Sequence, residues 1–188
     1  MNLDPKKTAL LTLDLQKGIF EMAPEAAIVL APAAKAVEFA RQKGFLLIHI
    51  GLGFSKGYPE IPEVSRFSMF REKGLMLKGS PSAEFHPKVF NAGDFVVYKQ
   101  RVSAFTENEL LMILRSRKIE NLVMFGISTS GIALSTLSQA SDLDFKCTIL
   151  KDGCADLDQE AHRVLTEKIF PRQAAVMTVN EYIAQQSQ

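Results

Sequence analysis

The stretch "NLVMFGISTSGIALSTLSQASDLD" (121–144) decides the fold. Leu122 to Ile127 form an almost unbroken apolar run of strand length, the pattern of a strand buried on both faces. A Gly/Ser/Thr turn follows, and "GIALSTLSQASDLD" (131–144) reads as a helix. The same alternation extends outward in both directions. "TALLTLDL" (8–15), "FLLIHIGLG" (45–53), "DFVVYK" (94–99), "FKCTILKDG" (145–153) and "AAVMTV" (174–179) read as further strands. "APAAKAVEFARQKG" (31–44), closed by Gly44, "ENELLMILRSRKI" (107–119) and "DQEAHRVLTEKIF" (158–170) read as helices between them. Buried strands alternating with helices imply an α/β domain: a parallel sheet covered on both faces, with right-handed crossovers. Segment 54–93 breaks the pattern with Gly57, Pro59, Pro62, Gly74, Gly79, Pro81, Pro87 and Gly93. It is too long for a passive connection and reads as a lid or oligomer arm over the site.

The bulk numbers agree with one soluble domain spanning residues 1–188. Apolar residues make up 47% and charged residues 23%, and the net charge is +1. That balance creates no broad field for nucleic acid or an anionic membrane. The longest apolar runs are strand-sized, well short of the roughly 20 residues of a membrane span. A carboxylate interrupts the apolar stretch of "MNLDPKKTALLTLDLQ", so no secretory pattern is read there. Cys147 and Cys154 lie too close together to staple much chain, and a reduced cytoplasmic setting is the simplest expectation.

In an open parallel sheet, ligands bind beyond the carboxyl ends of the strands. Strand one ends at Asp14, strand three at Lys99, and strand four at the turn 126–132. Asp14 reads either as a functional carboxylate or as a structural partner of a basic residue, since a buried carboxylate is costly to leave unpaired. Lys99 reads either as its cation or as a solvated strand end. Thr129 and Ser130 are most simply N-cap residues. The spacing from Gly126 to Gly131 is too loose for a phosphate loop, and no lysine follows it. His49 stands alone as a potential ligand, whereas a metal site needs a cluster. His86 and His162 read as loop and helix-surface residues. Cys147 reads as core, and Cys154 as packing rather than as a nucleophile.

Four blocks, in order and at the right separations, resemble the isochorismatase-like hydrolases. This group, also called cysteine hydrolases, includes isochorismatases, nicotinamidases and N-carbamoylsarcosine amidases. "LLTLDLQKGIF" is similar to the family's first strand with its Asp-x-Gln motif, and "VVYKQRVSAFTENEL" to its lysine motif. "GISTSGIALSTLSQASDLDF" is similar to the nucleophile turn, and "DGCAD" to the turn after the fifth strand. The resemblance implies a three-layer, doubly wound (Rossmann-like) six-stranded parallel sheet, order 3-2-1-4-5-6. It also implies a homodimer or homotetramer, a non-proline cis peptide at Ile127–Ser128, and an Asp–Lys–Cys triad. In such a triad the carboxylate takes the thiol proton, the lysine holds the carboxylate, and backbone N–H groups at the helix start bind the oxyanion.

Carried across, the base is Asp14, the cation is Lys99, and the nucleophile position falls on Ile132, which has no lone pair and no proton to lose. Gln16, Phe20, Phe105, Ser128, Thr129 and Gly131 are the expected substrate-binding positions. The nicotinamidase branch carries a metal site of Asp and His after the second strand. Here that region, "HIGLGFSKGYPE", has one His and no Asp-x-His, so neither metal nor other cofactor is expected. The expected activity is therefore small-molecule hydrolysis of a vinyl ether or C–N bond without a covalent thioester. In the isochorismatase branch, which also lacks the cysteine, the acid protonates a vinyl ether and water completes the cleavage. Attack by Ser128, Thr129 or Ser130 is a second route. The alternative of another class is a non-catalytic small-molecule-binding or scaffold protein on the same fold.

Overall fold

A computed structural model describes residues 3–187. Six strands form one sheet in the order β3-β2-β1-β4-β5-β6, every neighbouring pair parallel. They are β1 (Thr8–Leu13), β2 (Leu46–Leu52), β3 (Phe95–Lys99), β4 (Asn121–Gly126), β5 (Lys146–Leu150) and β6 (Ala174–Met177). The helices are α1 (Lys17–Met22), α2 (Leu30–Lys43), α3 (Ser68–Glu72), α4 (Leu110–Ser116), α5 (Leu134–Asp142), α6 (Gln159–Val164) and α7 (Val179–Gln185). No helix among the described residues is long and apolar enough to cross a membrane.

The two central strands explain their own position. Every residue of β1 and of β4 is buried, which is possible only where helices cover both faces. The α2 helix lays Ala33, Ala36 and Ala40 on the core side, small side chains that permit close approach to the sheet. Gly44 then ends it in the left-handed conformation at φ 73°. The chain reverses direction in the strand order between β1 and β4, and the crevice above their carboxyl ends is where such sheets bind ligands. Gly126 closes β4 with φ 154°, and any Cβ there would collide with the Leu13 carbonyl of β1. Glycine is therefore what lets the β1 and β4 ends sit side by side.

Three short helices lie outside the sequence-based elements: α1, α3 and α7. The α7 helix carries a full capping box, Thr178 with Glu181. It packs on α2 through Tyr182, whose ring meets Phe39 edge-on at 6.0 Å. The Tyr182 hydroxyl is buried with no hydrogen-bond partner among the described residues, so the ring stabilises and the oxygen does not. Tyr182→Phe is expected to leave stability unchanged or raise it by about 1 kcal/mol in urea denaturation. A loss of that size would mean the hydroxyl is satisfied.

Segment 54–93 packs Phe54, Tyr58, Ile61, Phe67, Phe70 and Met76 into a small second core with Leu52 of β2. This core sits beyond the carboxyl end of β2, and so beside the crevice.

Candidate active site

Asp14 is the first residue past β1. Its backbone N–H still donates to the Ile50 carbonyl at 2.8 Å, but its φ is 56°. Aspartate is among the few side chains that tolerate this left-handed geometry. The turn ends the strand and projects the carboxylate from the top of the sheet. Lys99 closes β3, two strands away, in register with Leu52 of the intervening β2. Its long side chain spans that strand and places Nζ 2.9 Å from Asp14 Oδ2. Nζ also donates to the Arg101 carbonyl at 3.1 Å. Both residues are almost wholly buried, Lys99 at 1% exposure and Asp14 at 5%. Asp14 Oδ1 is buried and has no hydrogen-bond partner among the described residues. Burial pushes the Asp14 carboxyl above the usual carboxylate range, and the Lys99 ammonium opposes that rise.

After β4 the Ile127–Ser128 peptide is cis, as the resemblance implies. A wide helical turn, Thr129–Ala133, then leads into α5. The helix therefore becomes α-helical at Leu134, three residues later than the sequence pattern indicates. The expected side-chain caps are not what satisfies this turn. The Thr129 hydroxyl pairs with His162 Nδ1 at 2.8 Å, and Ser128 makes no capping bond. Instead the Ser130 N–H donates to Asp156 Oδ2 at 2.6 Å. Asp156 lies in the "DGCAD" turn after β5, so an acidic side chain from a distant loop holds the positive end of the helix. Neither Asp156 in this role nor His162 as a partner of Thr129 is visible in the local sequence.

A cavity of 280 Å³ opens among these elements. Asp14, Lys99, Ser128, Gly131 and Ile132 lie on it together with Asp156. Ile19, Met22, Leu52 and Ile127 supply apolar wall, and Phe67 and Phe70 come from segment 54–93. Arg66 and Glu25, both exposed, contribute charge to its lining. Ile132, at the nucleophile position, is 2% exposed.

Four expected substrate-binding positions stand elsewhere. Gln16 is fully buried as a brace: Nε2 donates to the carbonyls of Leu52 and Ala83, both at 2.8 Å, and Oε1 accepts the Leu52 N–H at 2.7 Å. A Cβ on Gly51 would strike this amide, so the brace requires glycine there. Gln16 thus ties the end of β2 to segment 54–93, with both amide donors and the amide oxygen engaged by backbone. Phe20 turns away from the cavity and meets His86 edge-on at 5.3 Å. Phe105 stacks on Phe145 at 6.0 Å in the core. Thr129 is wholly buried and occupied by His162.

The remaining candidates are structural. His49 Nδ1 pairs with Thr12 Oγ1 at 2.7 Å and Nε2 with Asp94 at 3.2 Å, so both ring nitrogens are engaged. Among the described residues, no three His, Cys, Asp or Glu side chains gather as a metal would require. Burial pushes the thiols up, Cys147 to about 11 and Cys154 to about 12, which keeps them protonated and poor as nucleophiles.

Comparison with known proteins agrees with this geometry. The Isochorismatase domain family model matches residues 8–181. The uncharacterized isochorismatase family protein YwoC of Bacillus subtilis is 30% identical, over 98% of this chain and 97% of its own. A probable inactive nicotinamidase of Arabidopsis thaliana is 28% identical, over 84% of this chain and 85% of its own. The crystal structure of a cysteine hydrolase from Pseudomonas syringae pv. phaseolicola superposes with a TM-score of 0.90 at 19% identity. That match covers all of this chain and 95% of the other, and shows the shared fold. With its matched domain, its sheet order and a buried Asp–Lys pair at the top of that sheet, the chain belongs to the isochorismatase family.

Proposed function

We propose that the protein is a small-molecule hydrolase that works by general acid–base catalysis from Asp14, with no covalent enzyme intermediate. One observation carries the reading. Asp14 lines the cavity with one oxygen fixed by Lys99 and the other, Oδ1, buried without a partner among the described residues. A carboxyl group so placed can hold a proton on Oδ1 and offer it to a bound substrate.

A vinyl ether suits that donor. Asp14 protonates the terminal vinyl carbon, and the electron pair on the ether oxygen stabilises the cation that results. Water adds to that cation, and its proton returns to the Asp14 carboxylate. The hemiketal collapses to a ketone and an alcohol. Lys99 holds the carboxylate while it is ionised. The apolar wall of Ile19, Leu52, Ile127 and Ile132 limits the solvation that would draw the proton off the acid before substrate binds. Hydrolysis of a C–N bond by water activated at Asp14 would use the same two residues.

The test is a product assay by mass spectrometry on a panel of vinyl ethers and simple amides. Asp14→Asn keeps a residue that tolerates φ 56° and removes only the acid. Turnover is expected to fall about a hundredfold in the variant, with an unchanged circular dichroism spectrum. Equal turnover in both proteins would overturn the assignment.

A second reading, a binding protein without turnover, is favoured by Ile132, which puts hydrocarbon where the family resemblance places a thiol. The relative named a probable inactive nicotinamidase is consistent with it. It predicts that Asp14→Asn changes ligand affinity while neither protein forms product.

A further inference from the structure

The chemistry at position 132 admits more than a lost thiol. Ile132 is 2% exposed and lines the same cavity as Asp14. Asp14 Oδ1 is closed to water and unpartnered among the described residues, whereas Oδ2 is tied to Lys99. We propose that Ile132 is a positioning residue for the acid: its branched hydrocarbon keeps the wall over Asp14 dry, so that the carboxyl retains a proton on Oδ1. The inference rests on the reading of Asp14 as the general acid and assigns a purpose to the residue at the nucleophile position.

The charges around Asp14 make the apolar wall necessary. From β3, the Lys99 ammonium at 2.9 Å favours the ionised carboxylate. The ends of β2 and β4 present Leu52 and Ile127, which carry no charge. The turn after α1 brings Glu25, segment 54–93 brings Arg66, and the turn after β5 brings Asp156. Glu25 and Arg66 are exposed and screened by solvent. Asp156 is occupied by the backbone N–H groups of Ser130 and Asp158, at 2.6 and 3.3 Å. Among the described residues the strong direct influence is therefore Lys99, which acts against the acid form. What opposes it is desolvation by hydrocarbon, and desolvation disfavours the charged form. A hydroxyl at position 132 would bring a donor or a water to that wall and release the proton.

Valine and threonine are nearly the same size and differ in one polar atom, so they separate dryness from volume. The experiment follows Asp14 by carbon NMR in protein labelled at the aspartate carboxyl carbon, with the signal assigned by its loss in Asp14→Asn. Ile132→Thr is expected to lower the Asp14 titration midpoint by about one pH unit, a tenfold fall in proton affinity. Ile132→Val should lower it far less. Equal shifts in the two variants, or none in Ile132→Thr, would overturn the proposal. So would a wild-type Asp14 that titrates within the ordinary carboxylate range. Should Ile132→Thr not fold, Ile132→Ser against Ile132→Ala makes the same comparison. The readout needs no turnover. An unmoved midpoint removes the role of Ile132 and leaves the catalytic reading to the Asp14→Asn product assay.

Discussion

Lys99→Met is expected to lower stability by about 3–5 kcal/mol at neutral pH, because Asp14, whose rise in pKa the ammonium opposes, then has no counter-charge for its ionised form. The distinctive part of the result is its pH dependence. An uncompensated carboxylate at 5% exposure responds by keeping its proton. In the variant the folded state then binds one more proton than the unfolded state, in which an ordinary aspartate ionises near pH 4. Stability therefore falls as pH rises above that point, by about 1.4 kcal/mol per unit, until folded Asp14 itself ionises. The variant should be most stable in mild acid. Adding Asp14→Asn should remove the slope and restore much of the loss, since with neither charge present there is nothing left to compensate. Urea denaturation of wild type, both single variants and the double variant between pH 5 and 9 provides the measurement. A pH-independent loss in Lys99→Met, or a double variant no more stable than that single one, would show that Lys99 contributes packing rather than charge.

The sheet was legible because its strands are buried on both faces. Leu10, Leu11, Leu13 and Leu122 to Phe125 are apolar in sequence for the same reason that they are central in the fold. The strand boundary at Asp14 was less legible. The run "TALLTLDL" continues to Leu15 and its pattern puts the strand end at Asp14, but the left-handed turn at Asp14 ends β1 at Leu13. The short helices escaped periodicity, since five to seven residues give fewer than two turns. For α7 a usable signal existed in "TVNE" (178–181), the spacing of a capping box.

At the site, position along the strand ends placed Asp14 and Lys99 at the cavity, but neighbourhood in sequence did not fix direction. Gln16 lies two residues from Asp14 and points into a backbone brace. Phe20, a turn further on, packs on His86. Phe67, Phe70 and Asp156 come from aperiodic segments whose approach to the cavity is a property of the tertiary fold.

His49 supplies the largest expected acid sensitivity of the wild-type protein. It is fully buried in β2 between Thr12 of β1 and Asp94. Burial lowers its pKa to about 4, against the opposing pull of the Asp94 carboxylate. The ordinary value of 6.5 applies in the unfolded chain, so between the two the unfolded state binds the extra proton. Stability is then fully present above pH 6.5 and declines as pH falls toward 4. Integrated over that window the loss is roughly 3 kcal/mol. Asp94 adds a separate loss at lower pH. Its carboxyl is held below the usual range by backbone N–H and Arg41 bonds that outweigh its burial, and its contribution disappears below about pH 3.8. The two windows scarcely overlap and can be resolved. In His49→Gln, an amide that can still meet Thr12 and Asp94 but does not titrate, the decline between pH 6.5 and 4 should shrink by about that 3 kcal/mol. The loss below pH 4 should persist. Subtracting the two stability curves cancels the carboxylates common to both proteins. A flat difference curve would mean that His49 is protonated as readily in the folded protein as in the unfolded one. Its pairing with Asp94 would then be an ion pair rather than the contact of a neutral imidazole.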